Sequence, residues 1–141
     1  MKIQIKRISL DAKIPSFALV GDAGMDLYAD QDLILQPGER ASVKTGLAIK
    51  IPAGFAGLIW DKGGLSHRKG IKTLGGVFDS GYTGEWLIGL INLSNEDYPV
   101  KKGEKIAQVL FQKIERPEME IVDELEETQR GEQGFGSTGS K

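Results

Sequence analysis

Asp79 stands where an acid can do chemistry. It follows the apolar run Leu74 to Phe78 and opens the glycine-bounded turn Ser80-Gly81-Tyr82-Thr83-Gly84, before a second apolar run begins at Trp86. A carboxylate at such a corner is either a turn aspartate bonding nearby amides or a general base on a rigid hairpin, with Tyr82 as a packing wall. Gln108 falls, under the period of two, on the same strand face as Ile106, Leu110 and Ile114. An amide on an apolar row needs a partner: a backbone group in the core, or substrate or water in a cavity. In Asp61-Lys62-Gly63-Gly64-Leu65-Ser66-His67-Arg68, two glycines expose amides beside a lysine, a pattern that suits phosphate or a plain flexible turn. The tail from Arg130 to Gly139 sets one arginine and one aromatic among residues with no fixed backbone. It is either a disordered terminus or an arm that orders over ligand, with Phe135 stacking on a base and Arg130 reaching a phosphate.

Composition limits the chemistry further. At 141 residues the chain is the size of one domain, and its 40% hydrophobic and 27% charged residues allow a core with a solvated surface. It has no cysteine and a single histidine, His67, which excludes disulfides, thiolate chemistry and any multi-histidine metal site within one chain. A metal would be a hard ion such as magnesium, held by carboxylates or substrate phosphates. With 18 basic and 20 acidic residues the net charge is -2, which argues against nucleic acid as a partner. No apolar run nears the roughly 18 residues of a membrane span, and the first ten residues lack a signal-peptide pattern, so the expected compartment is the cytosol.

The elements that must position these residues are short. Nineteen glycines fall mostly between apolar runs. Strands are predicted at residues 3–8, 32–35, 47–51, 55–60, 71–78, 86–93 and 106–114, separated by Pro37-Gly38, Pro52-Ala53-Gly54, Gly75-Gly76, Gly81 to Gly84 and Lys102-Gly103. This spacing predicts an all-β sandwich or barrel. Helix candidates are Gly64 to Arg68 and Ile121 to Thr128, the latter equally readable as a strand running into an acidic linker. Residues 1–125 are expected to form the barrel and residues 126–141 a C-terminal arm.

With Ala23-Gly24-Met25-Asp26-Leu27 added, the order of these segments resembles the five motifs of the trimeric dUTP diphosphatase (dUTPase) family: Ala23 to Leu27, Lys62 to Ser66, Gly76 to Glu85, Gly103 to Gln108, and Arg130 to Gly139. The resemblance implies a jelly-roll β-barrel, a homotrimer whose sites draw on three chains with exchange of the arm, and magnesium-dependent hydrolysis of dUTP to dUMP and pyrophosphate. It implies Asp79 as the base that activates water against the α-phosphorus, Gln108 as its partner on the α-phosphate and water, and Asp26 as a ligand to magnesium through water. The substrate contacts it implies are Lys62, Gly63, Gly64 and Ser66 in the second motif, Gly76, Val77, Tyr82 and Glu85 in the third, and Arg130, Phe135, Gly136, Ser137 and Thr138 in the fifth. The second motif departs from the commoner arginine-serine pairing by having Lys62-Gly63, which removes a bidentate guanidinium and a hydroxyl. His67 is expected to be a surface residue.

Two rivals accompany this reading. A dCTP deaminase shares the fold, but its glutamate, ten residues after the motif 3 aspartate, is replaced here by Gly89. A non-catalytic dUTP-binding regulator, switching a protein partner through the arm, would not need Asp79.

Overall fold

Short apolar runs divided by glycine turns leave each strand one face to bury, and antiparallel sheets laid face to face bury it. The structure, a computed structural model, describes residues 1–132. Its strands are β1 (Gln4–Arg7), β2 (Met25–Tyr28), β3 (Leu33–Leu35), β4 (Arg40–Lys50), β5 (Phe55–Trp60), β6 (Ile71–Leu74), β7 (Val77–Phe78), β8 (Glu85–Asn92), β9 (Tyr98–Val100) and β10 (Lys105–Lys113), with the helix α1 (Gly63–Lys69) after β5. One sheet has the order β1-β4-β8-β6, a second β2-β10-β5-β7, and β3 pairs with β9 as a ribbon. All these pairings are antiparallel. The predicted all-β barrel of jelly-roll type is thus the observed class.

The core lies between the sheets and centres on Trp86 of β8, which is fully buried. Its ring stacks on Phe78 of β7 with centroids 4.1 Å apart and planes 13° apart, and Phe111 of β10 approaches it at 6.4 Å. Gly57 of β5 must be a glycine, because a Cβ there would come within 2.9 Å of the Trp86 ring.

Local chemistry explains where the elements differ from those expected. The predicted strand 71–78 is two strands, because Gly75 (φ 71°) and Gly76 (φ 133°) turn the chain between them. The Gly76 carbonyl then accepts the Ile59 N–H at 2.7 Å, tying the bend to β5. The predicted strand 47–51 is the end of an eleven-residue strand, β4, whose register against β8 slips between Lys44 and Ala48. Two short strands were not expected: β2, which contains Asp26, and β9, which carries Pro99 on a two-stranded ribbon where a missing N–H is tolerated. The expected helix at 64–68 forms as α1. The candidate at 121–128 forms neither helix nor strand, since Ile121 and Leu125 are exposed and have no face to pack on.

Trp86→Ala removes the central ring of this core and is expected to lower unfolding free energy by about 3–5 kcal/mol. Leu87→Ala, at the exposed neighbouring position, should cost much less. Urea unfolding followed by circular dichroism compares the two.

Candidate functional site

Strand register assembles the first half of the site. Gln108 of β10 lies opposite Asp26 of β2 on one side and Trp60 of β5 on the other, so the three side chains share one face of the sheet. The next row on that face is Leu110, Leu58 and Val77. The opposite face carries Phe78, Phe111 and Val109 into the core. The Gln108 row therefore faces outward, with Trp60 55% exposed.

Two residues, Asp61 and Lys62, link β5 to α1, and Lys62 at the helix N-cap turns toward β2. Its ammonium donates to Asp26 Oδ1, while the Lys105 ammonium lies 2.7 Å from Oδ2. Asp26 is only 1% exposed. Burial by itself raises its pKa, but the bonds and charges of Lys105 and Lys62 outweigh that and hold the carboxyl below the usual carboxylate range. The same contact pushes the Lys105 ammonium up. The expected contact of Asp26 with metal-bound water thus meets a carboxylate whose two oxygens already face cations.

The Gln108 amide donates from Nε2 to the Asp61 carbonyl at 2.8 Å. Gly24 sits against the other end of that amide, leaving no room for a side chain of its own. Gln108, Gly24, Trp60, Lys62, Gly63 and Ser66 line a cleft of about 560 Å³, with His67 at its exposed rim. A Cβ at Gly63 or Gly64 would meet open space. Ser66 Oγ turns back to the Lys62 carbonyl at 3.3 Å.

A second cleft, of about 470 Å³, is lined by Gly76, Val77 and Phe78 together with Leu74 and Leu87. It shares no lining residue with the first. The expected hairpin is instead a turn between sheets, because β7 pairs with β5 and β8 with β4 and β6. Asp79 is exposed at that turn, and its carbonyl accepts the Tyr82 N–H at 3.1 Å. The Tyr82 hydroxyl donates to the Glu85 carbonyl at 2.8 Å and its ring lies 5.8 Å from Phe78, so the turn is closed on itself. Gly84 permits this, because a Cβ there would sit 2.6 Å from the Tyr82 hydroxyl. Glu85, expected as a substrate contact, accepts the Gly46 N–H at 3.0 Å beside the irregularity in β4. Gly89 has no space for the glutamate of a deaminase, since a Cβ would lie 2.9 Å from the Leu74 carbonyl oxygen. Arg130 is exposed. Phe135, Gly136, Ser137 and Thr138 lie outside the described residues.

The structure thus brings Asp26, Lys62, Gly63, Ser66 and Gln108 together, and Gly76 and Val77 together elsewhere. Sequence reasoning missed Trp60 as part of the first cleft and Lys105 as a partner of Asp26. The period of two through β5 offered a signal for Trp60, and none marked Lys105.

The dUTPase family model matches residues 11–139. The chain belongs to the dUTPase family. It is 43% identical to a deoxyuridine 5'-triphosphate nucleotidohydrolase of Thermobifida fusca, over 99% of this chain and 79% of that protein. It is also 43% identical to one of Nautilia profundicola, over 99% of each. Among solved structures, a Staphylococcus bacteriophage 80alpha dUTPase with dUpNHpp superposes with a TM-score of 0.91 at 31% identity, covering 98% of both chains. A dUTPase from phage phi11 of S. aureus, described with a structural Mg(II) ion, gives a TM-score of 0.84 at 26% identity over 90% of this chain and all of that one.

Because the Asp26 and Asp61 carboxyls are both held below the usual carboxylate range, their contribution to stability is present above about pH 4 and is lost as pH falls through their folded values. Urea midpoints should decline from pH 5 toward pH 3. Asp26→Asn should lower the midpoint at pH 7 and flatten the decline, and an unchanged slope would contradict this assignment.

Proposed function

We propose that this chain hydrolyses dUTP to dUMP and pyrophosphate, drawing on the cytosolic nucleotide pool. The observation that carries the reading is the family match over nearly the whole chain, together with relatives named for this reaction and a phage dUTPase bound to dUpNHpp. In the proposed mechanism Asp79 takes a proton from water as it attacks the α-phosphorus, and the pyrophosphate leaves. The Asp79 carboxylate is exposed at its turn and open to a water molecule, as a general base must be. Gln108 orients the water and the α-phosphate, and Lys62 with the Gly63 and Gly64 amides receives the outer phosphates. The narrow Gly76–Val77 backbone reads uracil, and Tyr82 excludes a 2′-hydroxyl.

Magnesium enters this reading as part of the metal–triphosphate substrate. Among the described residues no group of three or more histidines or acids could hold a metal ion, and Asp26 is taken up by Lys62 and Lys105. The residues present do not fit a resident ion, and no step is routed through one.

We further propose a homotrimer in which the Asp79 turn of one chain meets the Gln108 cleft of another and the arm from Arg130 onward, with Phe135, Gly136, Ser137 and Thr138, closes over the nucleotide. Two separate clefts in one chain support this, as does the outward apolar row of Leu110, Leu58 and the 68% exposed Val77. No membrane or nucleic-acid partner is invoked, and no helix among the described residues is long and apolar enough to cross a membrane.

Pyrophosphate release measured across dUTP, dTTP, dCTP and UTP, with and without magnesium, tests the activity: only dUTP should turn over efficiently, and ammonia from dCTP would overturn the reading. Asp79→Asn should keep affinity for dUpNHpp while kcat drops by roughly a hundredfold or more. Truncation before Arg130 should leave a trimer by sedimentation with little turnover, and a fully active truncate would remove the arm from the mechanism.

A further inference from the structure

The corner between β5 and α1 is held from two directions. Asp61 stands there between Trp60 and Lys62, with 18% of its side chain exposed. Its Oδ1 accepts the Thr73 N–H at 2.8 Å and the Thr73 hydroxyl at 2.7 Å, and Oδ2 pairs with the Lys72 ammonium. Its backbone carbonyl accepts the Gln108 side-chain N–H. Thr73 and Lys72 belong to β6, the strand that bends at Gly75-Gly76 into β7 and the Asp79 turn. One residue therefore ties the Gln108 amide to the strand that runs into this chain's own Asp79 turn.

A primary amide can turn end for end unless a partner distinguishes its oxygen from its nitrogen. The Asp61 carbonyl makes that distinction for Gln108, engaging Nε2 and leaving Oε1 on the Gly24 side of the cleft. The carbonyl in turn is fixed because the Asp61 carboxylate grips both donors of Thr73. Burial raises the Asp61 pKa, and Lys72 and Thr73 more than reverse this, so the grip is that of an ionised acceptor.

We infer that Asp61 is a positioning residue: anchored to Thr73, it holds the Gln108 amide in its working orientation. It reaches no reacting atom, and the inference rests on the role proposed above for Gln108. A residue serving only to brace the corner would change stability without turning the amide.

The test compares Asp61→Ala, Asp61→Asn, Thr73→Val and Thr73→Ser in the full chain. The Gln108 side-chain NH2 signal in a nitrogen–proton correlation spectrum is assigned by its loss in Gln108→Leu. Asp61→Ala should shift that signal, speed its exchange with solvent and lower kcat for dUTP by about tenfold to a hundredfold, with a smaller change in KM. Thr73→Val should give the same changes at smaller size, while Thr73→Ser and Asp61→Asn, which keep the bond to Oδ1, should restore most of them. A folded Asp61→Ala with unmoved Gln108 signals and wild-type kcat overturns the inference. If that variant does not fold, Thr73→Val decides, and a loss of stability with unmoved Gln108 signals is equally fatal. Should the unaltered protein fail to hydrolyse dUTP, the functional reading falls, and the spectra alone still decide whether Asp61 sets the amide.

Discussion

The register of β10 between β2 and β5 is the constraint on which the rest of the site depends. Because side chains alternate with a period of two, the pairing that puts Gln108 opposite Asp26 and Trp60 also puts Val109 and Ala107 into the core, both fully buried. A slip of one residue would turn the amide toward the Trp86 cluster and Val109 toward solvent. The irregularity between Lys105 and Ala107 belongs to the same arrangement. In a regular strand those two residues would share a face. The extra residue lets Ile106 and Ala107 both be buried while Lys105 reaches Asp26.

That geometry creates an electrostatic problem and resolves it locally. A carboxylate removed from water is costly unless cations replace its hydration, and Asp26 has two within reach. Lys62 and Lys105 thus set two positive groups beside the Gln108 cleft, against Asp26 and against Asp22, which lines the same cleft. Both cations are lysines, point charges on long flexible stems rather than guanidinium forks. Lys62 in particular sits at the entrance to α1, where adjacent Gly63 and Gly64 leave the backbone open to approach.

The two clefts divide the labour between rigid and open geometry. The Asp79 turn is locked: Gly84 admits the Tyr82 ring, the Tyr82 hydroxyl closes on Glu85, and Phe78 anchors the turn to the core through Trp86. The Gln108 side is braced by Asp61 but otherwise open at the Lys62 loop. A single chain holds these halves apart across β5, and the apolar row between them faces outward. In the proposed trimer, a neighbour covers that row and its Asp79 turn supplies the missing half.

Much of this was legible in the residues themselves. Glycine and proline positions marked the turns, apolar runs marked most of the strands, and the string Asp79 to Glu85 with its flanking glycines marked a turn but not that it links two sheets, because turn chemistry is local and depends on φ rather than on distant contacts. Asp26 was legible only within a motif, since a buried aspartate contradicts strand propensity, and β2 went unseen for that reason. What the tertiary structure alone decided is cross-strand: that Lys62 and Lys105 converge on Asp26, that Glu85 accepts the Gly46 N–H beside the β4 irregularity, and that Asp61 meets both Thr73 and Gln108. These contacts join residues twelve or more positions apart, and their geometry follows from register and sheet order, quantities that local sequence constrains by face but not by partner.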